Sequence, residues 1–146
     1  MAKLDFLNQE FPELRDKLDF GEFHEELAGN YVEVWLNLSD EFQAEIEAHQ
    51  KKNETYYERR DVLLGALSRD ELPPDKREEY EAELEERQEA YHRRTADIYS
   101  RLWNCEPDEV LALFRADITL VSWLISRTWE MIGEYREGRK KARTGS

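Results

Sequence analysis

The chain has a single cysteine, Cys105, so no intramolecular disulfide can form, a usage that fits a reducing compartment. No apolar run approaches the length of a signal-peptide core or a membrane span, and the expected location is the cytoplasm of the cell. A glycine-rich phosphate loop, a nucleophile elbow and zinc-ligand spacing are all missing. Gly29 and Gly65 are the two candidates for a functional glycine, yet both suit a turn or a helix end better. Positive charge is also scarce. The 34 acidic residues outnumber 21 basic ones, for a net charge of -13. A field of that sign repels nucleic-acid phosphates and anionic lipid surfaces, so neither nucleic acid nor a membrane is an expected partner.

The chemistry-bearing residue types that remain form no site. Glu89-Ala90-Tyr91-His92 is a Glu-x-x-His pair at helical spacing, the unit of carboxylate-bridged di-iron bundles. Such bundles need a second pair, and the chain has none. His24 and His92 lie among charges, and neither they nor His49 has an evident cleft or orienting partner. Cys105 sits between Asn104 and Glu106 with no base nearby in sequence. The expectation is a non-enzyme without metal or cofactor.

What is present is helix, with one strand. With 38% charged and 40% hydrophobic residues and a mean hydropathy of -0.88, the chain suits long helices that each bury one stripe. Its four Trp and seven Tyr argue against disorder. Residues 31–38 read Tyr-Val-Glu-Val-Trp-Leu-Asn-Leu. Val32, Val34, Leu36 and Leu38 fall on one face; Tyr31, Glu33, Trp35 and Asn37 fall on the other. A lone strand cannot satisfy its backbone, so either the preceding segment folds back on it or another copy or partner supplies the second strand. In residues 1–29, Lys3-Leu4-Asp5-Phe6 and Lys17-Leu18-Asp19-Phe20 form a near-repeat. Pro12 could open a short helix, or Leu18, Phe20 and Phe23 an irregular second strand. A small hairpin-like N-terminal element is expected, turned at Gly29-Asn30.

Ser39-Asp40 stops the strand and starts a helix, with Gln43 in capping-box position to Asp40. Phe42, Ile46, His49, Asn53, Tyr56, Arg60, Leu63 and Leu67 then recur at steps of four and three. They form a heptad seam about 42 Å long, polar in the middle. Ser68 to Pro74 breaks it, and a second helix runs to Trp103 with Tyr80, Leu84, Arg87, Tyr91, Ile98 and Leu102 as its stripe. The pair is an antiparallel hairpin, so charged over residues 50–90 that it is expected to project as an arm. Pro107 opens a short helix through Phe114, and Asp117 caps a last helix to about Tyr135. Residues 98–135 are the expected core.

The fold class is therefore mainly α with a small β element. The organisation runs as an acidic segment 1–39, a helical hairpin 40–103, a helical core 104–137 and a basic tail 138–146. Residues 1–40 carry ten acids and three bases, and residues 134–146 five bases and two acids, so solubility or head-to-tail attraction between subunits both fit. Tryptophans serve as core or interface anchors. Tyr31, Val32, Val34, Trp35 and Leu36 on the strand, with Trp123 and Trp129 on the last helix, are the candidate partner or subunit contacts. Trp35→Asp is expected to abolish higher assembly while sparing helix content.

The Tyr31–Asn37 strand, the charged helical region and the C-terminal unit resemble the tail assembly chaperones of long-tailed bacteriophages. That unit carries Leu102-Trp103-Asn104, then Val121-Ser122-Trp123-Leu124-Ile125, Thr128-Trp129, Ile132 and Tyr135. The resemblance covers about 45 of the 146 residues and no part of the 50–97 hairpin. It implies a non-catalytic protein that coats and solubilises a long helical tape measure protein, recruits tail tube subunits and forms homo-oligomers. The Arg139-Lys140-Lys141 stretch is compatible with the programmed frameshift of that family. Two rivals stand beside it: a structural coiled-coil adaptor of a virion or other assembly, and an acidic DNA-mimic inhibitor. Bases spread along the hairpin count against the mimic, which wants unneutralised rows of carboxylates.

Overall fold

In the computed structural model, which describes residues 2–3 and 12–144, four helices pack with a two-stranded antiparallel sheet. The second copy of the near-repeat lies within β1 (Arg15–Asp19) and its end, while the first falls mostly outside the described residues. β1 pairs with β2 (Tyr31–Trp35), matching Arg15 to Trp35 and Asp19 to Tyr31. The preceding segment thus supplies the second strand, and no helix opens at Pro12. β2 stops three residues short of the predicted end. Asn37 explains this: its Oδ1 accepts the Leu14 N–H at 2.6 Å and its Nδ2 donates to the Pro12 carbonyl at 2.9 Å. A side chain has taken over the ladder, although the alternation of apolar residues continues to Leu38. Residues 20–30 connect the strands through two single 3-10 turns, with Gly29 at φ 94°, a left-handed conformation that glycine adopts without cost.

α1 (Asp40–Leu67) is capped by Ser39, the first residue of the expected Ser39-Asp40 start. Ser39 Oγ accepts the Phe42 N–H at 3.1 Å, and Gln43 Nε2 donates to the Leu38 carbonyl at 3.1 Å. At its far end Arg77 donates to the carbonyls of Leu67 and Arg69, both at 3.0 Å, binding the turn to the start of α2 (Pro74–Trp103). Cations suit a helix C-terminus because its carbonyls carry partial negative charge. α2 ends at Asn104, which is left-handed (φ 53°, ψ 52°), while the Cys105 N–H bonds the Ser100 carbonyl at 3.0 Å. α3 (Pro107–Ala116) opens with the Glu109 carboxylate accepting the Glu106 N–H at 3.0 Å. Asp117 Oδ1 accepts from the Thr119 and Leu120 N–H groups and starts α4 (Ile118–Thr144). α4 runs nine residues past the predicted end, so the basic stretch is helical. Its Arg, Lys, Glu and Ala residues favour helix without an apolar stripe, and periodicity alone does not register them.

The core lies where predicted, over the inner ends of the hairpin and the C-terminal helices, with the sheet added to it. Leu18, Val32 and Val34 of the sheet meet Phe42 and Ile46 of α1, Leu102 and Trp103 of α2, Val110 of α3, and Leu124 and Ile132 of α4. Leu102, Val34, Val110 and Leu124 are fully buried; removing such a leucine to alanine costs about 2–5 kcal/mol.

Candidate interaction surface

The predicted contact residues divide among four environments. Val32 and Val34 face the core, buried to 6% and 0% exposure, and present nothing to a partner. Tyr31 is exposed at the far end of β2, its ring beneath the Lys17 ammonium at 4.4 Å. Trp35 and Leu36 are half-buried and lie together along a groove of about 1060 Å3 that also reaches Leu38, Tyr135, Arg136 and Arg139. Trp35 is not free to move there. Its ring stacks on Phe42 at 5.0 Å and its indole N–H donates to Asn37 Oδ1 at 3.0 Å. Trp35→Asp would therefore disturb the base of α1 as well as any surface. Trp123 and Trp129 of α4 sit elsewhere, half-buried. Trp123 packs on Phe23 at 5.6 Å, and Trp129 donates to the Tyr99 hydroxyl at 3.2 Å.

The open edge of β2 is partly occupied from within the chain. The hydrogen bonds Leu36 N–H to Leu14 O and Phe20 N–H to Asn30 O fix the ladder phase, which aims the backbone of Tyr31, Glu33 and Trp35 away from β1. Arg15 fills part of that edge. Its guanidinium donates to the carbonyls of Glu33 (2.9 Å), Leu102 (3.1 Å) and Arg101 (2.9 Å), and to Glu13 Oε2 through two nitrogens. All five of its N–H donors are used, joining the sheet to the C-terminus of α2. Among the described residues nothing pairs with the backbone of β1 on its outer side, where Asp16 and Lys17 are exposed as charges that discourage indiscriminate edge pairing.

The hairpin provides a second surface. Beyond the core, only Tyr56 and Leu63 of the residue 50–90 stretch are buried. Tyr56 stacks on Tyr91 at 4.6 Å with an interplanar angle of 5°, and the Tyr57 and Tyr91 hydroxyls are 2.8 Å apart. The Arg60 guanidinium lies 5.0 Å from the Tyr57 ring. Burial, and then the hydrogen bond from Tyr57, raise the Tyr91 hydroxyl well above an ordinary phenol. Arg59 grips Glu83 through Nε and Nη2 at 2.6 and 2.9 Å, while Arg87 Nε adds a third bond at 2.9 Å. These bonds, the Arg59 pair first, hold the Glu83 carboxyl at about 2. Exposed on the arm are Val62, Leu64 and Tyr57. Tyr57 and Leu64 are seven residues apart and share one face, a single step around from the Tyr56–Leu63 seam. Tyr57 adjoins Tyr56 but stands outside the four-and-three recurrence that marks the seam in the sequence.

The groups considered for chemistry are dispersed. His49 bonds Asn53 at 3.1 Å within α1, and His92 stacks near Phe114 at 6.2 Å. Among the described residues no three His, Cys, Asp or Glu side chains gather as a metal site, and no helix is long and apolar enough to cross a membrane. Cys105 is half-buried. Burial, followed by the nearby Glu109 and Glu106 carboxylates, pushes its thiol up to about 11, so almost no thiolate exists near neutral pH. Compared with known protein families, curated proteins and solved structures, the chain matches none.

Proposed function

We propose that the protein is a non-catalytic assembly chaperone that holds a long helical client, in the manner the resemblance to phage tail assembly chaperones implies. The client is then a tape measure protein, the recruited partners are tail tube subunits, and the site of action is the cytoplasm of the bacterial host cell. The observation that carries this reading is the arm. Its two helices spend their seam on each other, and its outer half leaves the shared core, displaying Tyr57, Val62 and Leu64 amid charge. A long amphipathic client needs apolar contacts at helical spacing on a surface that stays soluble without it. The outer edge of β1, which no described residue pairs with, offers a route to homo-oligomers.

The same arm weighs against the alternatives. An intermolecular coiled-coil adaptor wants a free seam, and α2 already covers that of α1. A DNA mimic wants bare carboxylates, and Glu83 on the arm is held by two arginines. The test is affinity capture with tagged protein from its native lysate, washed at low salt and at about 1 M NaCl, with mass spectrometry of what remains. A very long helical protein retained with tail tube subunits at both salts is expected. A nuclease or polymerase that high salt releases would replace the chaperone with the decoy.

A further inference from the structure

One groove on the arm has the opposite charge to the protein as a whole. It encloses about 280 Å3 between the helices and is lined by Lys52, Thr55 and Tyr56 of α1 and by Arg87, Ala90 and Arg94 of α2. No carboxylate lines it, in a chain with 34 acids and 21 bases. The flanking cross-helix positions follow the ordinary pattern. Towards the core Arg101 pairs with Glu45, and towards the tip Arg59 pairs with Glu83. Between them, neither Lys52 nor Arg94 has a carboxylate partner among the described residues. Arg94 Nε is shut off from solvent without an acceptor. Neighbouring His49, flanked by Lys52 on α1 and Arg94 on α2, is held below its ordinary titration point, by burial first and then by these two cations. Like charges so placed repel unless something neutralises them. Of the lining cations, Arg87 shares the Glu83 carboxylate with Arg59, while Lys52 and Arg94 face no carboxylate in the groove, which leaves an excess of positive charge there.

We propose that this groove binds a phosphate-class oxyanion, gripped by Arg94, Lys52 and Arg87, either free or as the phosphate group of a larger ligand such as a mononucleotide. A dianion suits it better than a carboxylate. The guanidinium forks match phosphate oxygens two at a time, the lysine adds a point charge, and two negative charges offset most of the excess. Thr55 and Ala90 are small and leave the space the anion needs.

The test is titration of the full chain with inorganic phosphate at fixed ionic strength, following the His49 imidazole by NMR. A saturable shift is expected, with the His49 titration point rising as the anion offsets Arg94 and Lys52. Arg94→Gln and Lys52→Gln should each weaken binding at least about tenfold, the scale of one charge-assisted contact, and Lys51→Gln should not. Tighter binding of a mononucleotide than of phosphate assigns the group to a larger ligand; equal affinity assigns the free ion. Without phosphate, both groove variants should unfold at or above the wild-type temperature, because repulsion is relieved. A shift that never saturates, one that survives both groove substitutions, or a loss of stability in those variants would overturn the proposal.

Discussion

Thr128→Val provides a demanding test of how the arm is anchored. The Trp103 indole N–H, at the end of α2, donates to Thr128 Oγ1 of α4 at 2.9 Å, and that hydroxyl donates on to the Leu124 carbonyl at 2.6 Å. Trp103 and Thr128 are 1% and 0% exposed, so no water stands ready to replace either bond. Valine has nearly the shape of threonine but cannot accept a hydrogen bond, and the indole N–H would be buried without a partner. That penalty is about 1–3 kcal/mol. Thr128→Ser keeps the acceptor and loses one buried methyl, at about 1 kcal/mol. The two ranges touch, so single variants do not settle the matter and a cycle with Trp103→Phe is needed. Phenylalanine has no N–H to strand, and in that background Thr128→Val should cost at least about 1 kcal/mol less than in the wild type. Urea unfolding followed by far-UV circular dichroism reads both, as midpoint shifts at constant slope. An equal cost in the two backgrounds would refute the indole–hydroxyl bond as the source of the effect.

Arg15→Met should destabilise by about 2–4 kcal/mol, because three backbone carbonyls lose a charged donor in a partly buried joint; thermal unfolding measures it. Lys17→Met, which touches only the exposed Tyr31 ring, should change stability by less than about 1 kcal/mol in the same assay. Cys105, with its thiol raised to about 11, should react with iodoacetamide at pH near 8 more slowly than free cysteine and reach the free rate in denaturant; equal rates in the folded protein would contradict its burial. His49 is depressed in the folded state, so the unfolded chain binds its proton first as pH falls through the ordinary 6.5. Its contribution to stability is complete above that pH and is lost on descending to the lowered folded value. His49→Gln should flatten this part of the stability profile, as denaturation midpoints between pH about 7.5 and 5 will show.

Much of this architecture is written plainly in the chain. The seam residues Phe42, Ile46, Tyr56 and Leu63 are all buried, since a four-and-three recurrence has one structural solution when a second helix lies alongside. The hairpin, the proline starts of α2 and α3 and the Asp117 cap follow from local chemistry for the same reason. What escaped depends on contacts distant in sequence. Asn37 ends the strand by reaching 23 and 25 residues back, and Arg15 reaches 87 residues forward to Leu102. No window of sequence contains those pairs. Among the candidate contacts, the alternation placed Val32 and Val34 on one face of the strand, and that face is the core. The surface signal lay elsewhere, at Tyr57 and in the unopposed cations of the arm, where only the pairing of two helices shows which charges lack partners.

The central claim concerns client holding by the arm, and co-expression tests it most directly. A tape measure protein would be produced alone, with the wild-type chain, and with a Tyr57→Asp/Leu64→Asp variant whose circular dichroism and unfolding match the wild type. The account predicts a soluble client with the wild-type chain and an aggregated one in the other two cases. A client that is soluble alone, that aggregates regardless, or that the variant rescues equally well would contradict it.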